Sequence, residues 1–200
     1  MRILCVGAGG VGSAAAAIAS RRDYFETFVV ADYDLDRARR AVGRVDDTRF
    51  AAARVDASNA QDVLALCREH QITHVLNAVD PRFVMPIFNG AFSAGASYLD
   101  MAMSLSHPHE QKPYELTGVK LGDDQFASAE KWERTGRLAL VGIGVEPGLS
   151  DVFARYAADH LFSSIDECGV RDGANLTVSG YEFAPSFSIW TTIEECLNPP

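Results

Sequence analysis

The sequence predicts an α/β protein built on a doubly wound parallel sheet, and three observations predict it. After Arg2, Ile3-Leu4-Cys5-Val6 is an apolar, β-branched-rich run ending at Gly7, where Gly7, Gly9 and Gly12 give the spacing G-x-G-x-x-G. Small residues follow as a helix through Ala14-Ala15-Ala16-Ala17-Ile18-Ala19, so the order is strand, glycine turn, helix. A second buried strand, Phe28-Val29-Val30-Ala31, ends in Asp32, about twenty residues beyond Gly12, where a carboxylate can hydrogen-bond a ribose 2′-hydroxyl. These are the marks of a Rossmann-like dinucleotide site. Gly7 permits the tight turn, Gly9 lets the backbone approach a pyrophosphate, and Gly12 lets the helix pack closely on the strand. The free N–H groups of the turn, through Gly10 and Val11, lie at the positive end of the helix.

Composition agrees with a globular chain and narrows its partners. With 200 residues, 48% hydrophobic and 22% charged, the chain can bury a substantial core, enough for one domain and part of a second. A net charge of −9 and a pI near 5.0 argue against a nucleic-acid backbone or an anionic membrane surface as partner. A small molecule is the expected ligand. Cys5, Cys67, Cys168 and Cys196 are far apart with no C-x-x-C, so buried, reduced thiols in a cytoplasmic protein are expected. No segment has the eighteen or so uninterrupted apolar residues of a membrane span.

The later elements repeat the strand–helix alternation. Tyr33 to Val42 has apolar residues at Leu35, Ala38, Ala41 and Val42, with acids before bases as a helix dipole prefers. Phe50 to Asp56 reads as a third strand, and Ser58-Asn59 offers caps for a helix through Val63, Leu64, Leu66 and Cys67. Thr73 to Val79 is a fourth strand, apolar enough to be covered on both faces. Asp80-Pro81 opens a helix whose Phe83, Phe88 and Phe92 fall at core spacing, and Gly95 stops it. Ser97 to Ala102 is a fifth strand. Ser104 to Asp124, with its prolines, glycines and His107-Pro108-His109, reads as a loop or lid near the ligand crevice; the two histidines lack a third ligand in register, so no metal is assigned.

A helix from Gln125 to about Thr135 leads to a sixth strand, Arg137 to Ile143, and then the turn Gly144-Val145-Glu146-Pro147-Gly148. Leu149 to Phe162 patterns as an amphipathic helix started by Ser150 or Asp151, with Leu149, Val152, Phe153, Tyr156 and Leu161 inward. Ile165 to Val170 and Leu176 to Phe183 then read as strands around Asp172-Gly173, and Ser188 to Leu197 as a helix. This change of pattern divides the chain into residues 1–162, a dinucleotide-binding domain, and residues 163–200, the start of an incomplete second α+β domain.

Parallel sheets bind ligands at the carboxyl ends of their strands, which selects the candidate residues. Gly7, Gly9, Gly10, Val11 and Gly12 hold the pyrophosphate, Asp32 the ribose, and Asp56 lies where it can approach the adenine or cap a helix. Asn77, Ala78 and Val79 end the fourth strand, where the small Ala78 lets the nicotinamide half pass. NAD is the expected cofactor because a carboxylate repels a 2′-phosphate, and Arg37 and Arg39 keep NADP open. Asp100 and Glu146, near successive strand ends, are the candidate catalytic residues, able to orient a substrate ammonium or handle a proton.

In order, Gly7-Ala8-Gly9-Gly10-Val11-Gly12, Ala31-Asp32-Tyr33-Asp34, Asn77-Ala78-Val79-Asp80-Pro81, Tyr98-Leu99-Asp100 and Gly144-Val145-Glu146-Pro147-Gly148-Leu149-Ser150-Asp151 resemble the saccharopine dehydrogenase family. The resemblance implies an amino-terminal Rossmann domain, a larger substrate domain, and pyridine-nucleotide-dependent oxidoreduction at a carbon–nitrogen bond of amino acids or polyamines. It also implies an amino-acid substrate, and leaves room for a homodimer through the second domain. The family's substrate domain is several times longer than the residues after 163. Two rival readings are an oxidative deaminase of the lysine 6-dehydrogenase type and a dinucleotide-binding regulatory module without turnover.

Overall fold

The computed structural model describes residues 1–171, 173, 177–182, 184 and 189–197. In chain order the elements are β1 (Arg2–Val6), α1 (Gly10–Ala19), β2 (Thr27–Asp32), α2 (Leu35–Val42), β3 (Phe50–Arg54), α3 (Ala60–Glu69) and β4 (His74–Asn77). A 3-10 turn, Pro81–Phe83, leads into α4 (Val84–Ala94), β5 (Ser97–Asp100), α5 (Asp123–Phe126), α6 (Ala129–Thr135), β6 (Ala139–Leu140), α7 (Leu149–His160) and α8 (Ile189–Leu197). The strands form one parallel sheet in the order β3-β2-β1-β4-β5-β6, which is the Rossmann-like doubly wound arrangement. The reversal between β1 and β4 opens a crevice at their carboxyl ends.

Both faces of the sheet are covered because β1 is apolar over Ile3–Val6 and β2 over Phe28–Ala31, so each pleat there sends side chains into a core. Leu4, Val6, Val29 and Ala31 meet Val63, Leu66, Ile87, Phe88 and Trp132 on one face. Ile3, Cys5, Phe28 and Val30 meet Ala16, Ala19, Ala38 and Ala41 on the other, with Phe25 and Phe50 beside them. Phe88 is fully buried and stands edge-on to Tyr98, while Phe83 and Phe92 pack partly buried against the same core. The small residues of α1 and α2 matter here: alanine faces let these helices lie close to the strands that carry the crevice.

Helix starts follow their caps. Asp34 accepts the N–H groups of Asp36 and Arg37 at 2.9 and 3.2 Å, so α2 begins at Leu35 instead of Tyr33. Asn59 accepts Gln61 N–H at 3.0 Å and starts α3, and Gly95 in the left-handed region (φ 70°) ends α4.

Five expectations are corrected. The sixth strand is two residues long, because the chain turns away at Gly142 (φ 66°), whose N–H is drawn to the Asp100 carboxylate at 2.7 Å. The helix expected over 125–135 is two pieces, α5 and α6, interrupted at Ala127 and Ser128. On α7 the residues patterned as inward, Leu149, Val152, Phe153, Tyr156 and Leu161, are 45–64% exposed: the helix is amphipathic, but its apolar face is left largely open among the described residues. Among the described residues Ile165 to Val170 is exposed chain without a ladder partner, and a strand pattern becomes a strand only beside a neighbour's backbone. Leu176, Phe183 and Asp172 lie outside the described residues, and residues 177–182 hold a turn. Of the four thiols, Cys5 and Cys67 are buried as expected, whereas Cys168 and Cys196 are exposed.

Candidate dinucleotide site

The site is assembled where β1, β2 and β4 end. Gly7 N–H donates to Ala31 O at 2.7 Å and Ala78 N–H to Val6 O at 2.8 Å, so the ladder on both sides of β1 runs into the glycine turn. Gly7 has φ 107°, and a Cβ there would stand 2.5 Å from Ala78 O and 2.7 Å from Val79 Cγ1. Only glycine fits this close approach. At Gly12 a Cβ would run into the carbonyl of Gly7, which is the helix–strand contact the motif demands. At Gly9 and Gly10 a Cβ would meet nothing within 4 Å. That open ground lies before the first turn of α1, where helix geometry leaves N–H groups without backbone acceptors. The turn therefore offers donors and room together, which is what a pyrophosphate requires, and these residues fit an NAD(P) cofactor.

Asp32 closes the turn from the side. One carboxylate oxygen accepts Ala8 N–H at 2.9 Å and the other accepts Asp34 N–H at 3.0 Å. It thus ties the end of β2 to the glycine turn. Asp56 does not join the site through its carboxylate in this way: Ser58 N–H and hydroxyl hold it at 2.9 and 2.6 Å and keep its carboxyl below the usual range. Asn77 is buried, with Nδ2 donating to Tyr98 Oη at 3.0 Å and Oδ1 accepting Val79 N–H at 3.2 Å. It shapes the end of β4 and so sets where Ala78 and Val79 stand against Gly7.

Asp100 is only 1% exposed, and its oxygens are surrounded by donors. Oδ1 accepts Gly142 N–H at 2.7 Å and Met103 N–H at 3.2 Å, and Oδ2 accepts Gln125 Nε2 at 2.7 Å. Gln125 Oε1 in turn accepts Ser104 N–H at 2.8 Å. Tyr98 lies beside this group, and burial followed by the charge of Asp100 pushes its phenol far up, so it stays protonated. The backbone carbonyl of Asp100 also accepts Ile143 N–H at 2.9 Å. Asp100 therefore anchors the chain just before the turn that carries Glu146. Glu146 itself is exposed, in a turn closed by Gly144 N–H on Pro147 O at 2.8 Å.

Several participants escape a reading of the sequence. Gln125 and Gly142 reach Asp100 across 25 and 42 residues, and no local pattern signals either contact. Arg54, at the end of β3, lies over the ring of Tyr33 with its guanidinium carbon 4.9 Å from the centroid, and its Nε donates to Tyr33 O at 3.3 Å. Register puts Arg54 beside Asp32. His107 and His109 serve the loop: His107 N–H pairs with Val119 O at 2.9 Å, and His109 Nδ1 accepts from Gln111 and Lys112 N–H at 3.3 and 3.2 Å.

Fold, strand order and glycine turn define a dinucleotide-binding domain of the Rossmann-like class. Residues 3–140 match the family model described as the saccharopine dehydrogenase NADP binding domain, which spans well over half of the chain. The chain belongs to that family and carries its NAD(P)-binding domain, as found in oxidoreductases. It is 32% identical to a carboxynorspermidine synthase of Vibrio alginolyticus over 98% of this chain and 48% of that protein. It is 26% identical to a carboxyaminopropylagmatine dehydrogenase of Synechocystis over 97% of this chain and 46% of that protein. The chain thus spans about half the length of the curated relatives it matches. Among solved structures, apo saccharopine dehydrogenase (L-Glu forming) from Saccharomyces cerevisiae shares the fold with a TM-score of 0.60 at 14% identity, over 80% of this chain and 31% of that one. Among the described residues no helix is long and apolar enough to cross a membrane.

Proposed function

We propose that this chain is the cofactor-binding part of an NAD(P)-dependent oxidoreductase that makes or breaks the carbon–nitrogen bond of a carboxylated polyamine-type secondary amine. One observation carries the choice of substrate class: the likeness to the Vibrio synthase covers 98% of the chain, and so extends past the family model's end at residue 140 into the turn that holds Glu146. Relatives named for carboxynorspermidine and carboxyaminopropylagmatine act on molecules that carry both a carboxylate and amines. Such a substrate is preferred here over saccharopine or lysine. When bound, the nicotinamide supplies or accepts hydride at the carbon attached to nitrogen.

The chain's own residues divide the remaining work. Gly7, Gly9, Gly10, Val11 and Gly12 hold the pyrophosphate, Asp32 fixes the turn and meets the adenosine ribose, and Asn77, Ala78 and Val79 shape the passage for the nicotinamide half. Glu146, exposed beyond the last strand, presents a carboxylate to a cationic amine and can hold a proton at its oxygen. Asp100 is a positioning residue that acts through the Gly142–Ile143 backbone on the turn carrying Glu146. A substrate domain beginning near residue 163 covers the apolar face of α7 and is the part through which a homodimer forms.

The test is oxidative turnover by the full-length protein, followed as reduction of NAD(P)+ with carboxynorspermidine, carboxyaminopropylagmatine, saccharopine and lysine supplied in turn. Turnover of a carboxylated polyamine at least about tenfold faster than of saccharopine or lysine, in kcat/KM, supports the proposal. Preference for saccharopine or lysine overturns the substrate class. Cofactor binding without turnover of any of the four points instead to a regulatory module.

A further inference from the structure

We propose that Arg54, laid across the ring of Tyr33, takes the 2′-phosphate of NADP, and that Asp32 serves the glycine turn and does not decide between the two cofactors. The inference rests on the reading of the glycine turn as a dinucleotide site and adds to it the residue that chooses between NAD and NADP. A carboxylate at the end of β2 ordinarily accepts from the 2′-hydroxyl and repels a phosphate there. Here both oxygens of Asp32 already accept backbone N–H groups, of Ala8 and Asp34, so its carboxylate is engaged in holding the turn. The acids that follow are engaged as well. Asp34 caps α2 and lies 3.8 Å from Arg40, and Asp36 pairs with Arg39 at 3.0 Å.

Arg54 differs from these arginines in place and in setting. It ends β3 next to Asp32 in register, at the same carboxyl edge, and it is exposed. Among the described residues no carboxylate lies within ion-pair distance of its guanidinium; Asp56, two residues on, feels the Arg54 charge but is held by Ser58. One face of the guanidinium lies on Tyr33, and Nε is fixed on Tyr33 O. A planar cation held this way loses little freedom on binding: its second face can stack on an adenine, and its terminal nitrogens form the fork that suits a phosphate. Tyr33, 65% exposed, has no core to fill, and its ring serves to hold Arg54.

The experiment is calorimetric titration of the full-length protein and its variants with NADPH, NADH, 2′,5′-ADP and 5′-AMP, which reads binding with no need for turnover. The wild type is expected to favour NADPH over NADH, and 2′,5′-ADP over 5′-AMP. Arg54→Ala should weaken the two 2′-phosphorylated ligands by about tenfold to a hundredfold more than the other two, the range lost with a charge-assisted hydrogen bond. Arg54→Lys should recover part of this, since it keeps the charge and loses the flat fork. Arg37→Ala, on the exposed side of α2, should leave the NADPH to NADH ratio within about twofold. An unchanged ratio in Arg54→Ala, or a loss confined to Arg37→Ala, overturns the assignment while leaving the dinucleotide reading intact. A folded wild type that binds none of the four ligands overturns both.

Discussion

The glycines of the first turn separate function from fold, because the space around them differs. Gly9 lies in extended backbone (φ −73°, ψ −161°) with nothing near an added Cβ, whereas at Gly12 a Cβ collides with the Gly7 carbonyl. Gly9→Val should therefore fold normally, by circular dichroism and urea unfolding, yet lose NADPH affinity by about a hundredfold, since its bulk fills the ground of the pyrophosphate. Gly12→Ala should cost at least about 1–3 kcal/mol of stability in the same unfolding experiment, by overpacking. The thiols make a second test at this scale. Burial pushes Cys5 and Cys67 up to about 12, while Cys168 and Cys196 are exposed. A thiol reagent at neutral pH should modify the exposed pair promptly and Cys5 and Cys67 only on unfolding. The turn glycines and Asp32 were legible in the sequence because their spacing is local. Arg54 was not, since its place beside Asp32 depends on strand register.

Among the elements, β5 and the turn after β6 are joined by one buried carboxylate. Removing it in Asp100→Ala leaves Gly142 N–H, Met103 N–H and the Gln125 amide without their acceptor in a buried place. The expected loss is about 3 kcal/mol or more in urea unfolding. Glu146→Gln, in the exposed turn, should change stability by less than about 0.5 kcal/mol and lower kcat/KM at least about tenfold on the true substrate. Wild-type kcat/KM in Glu146→Gln removes that residue from the chemistry. Strand ends carrying acids were readable from the sequence, but the burial that gives Asp100 and Glu146 different surroundings was not. It follows from Gln125 and Gly142, which arrive from distant elements. The early end of β6 has the same origin, since the pull of Asp100 on Gly142 wins over the apolar run 138–143.

Across the whole molecule, the doubly wound parallel sheet was legible in the sequence, because five strands alternating with helices and a glycine turn after the first leave few parallel arrangements. Less was legible after residue 140. The apolar face of α7 is correctly patterned, but a pattern states only that a face wants cover and does not say which segment provides it. The binding edge is the property of the assembled sheet that unites the account, and amide hydrogen exchange of the full-length protein, with and without NADPH, tests it most directly. Added protection is expected at 7–12, 32–34 and 77–79, on the carboxyl edge, with the opposite edge at 20–27, 47–50 and 70–73 unchanged. Saturating NADPH that leaves 7–12 unprotected, or that protects the opposite edge instead, would contradict it.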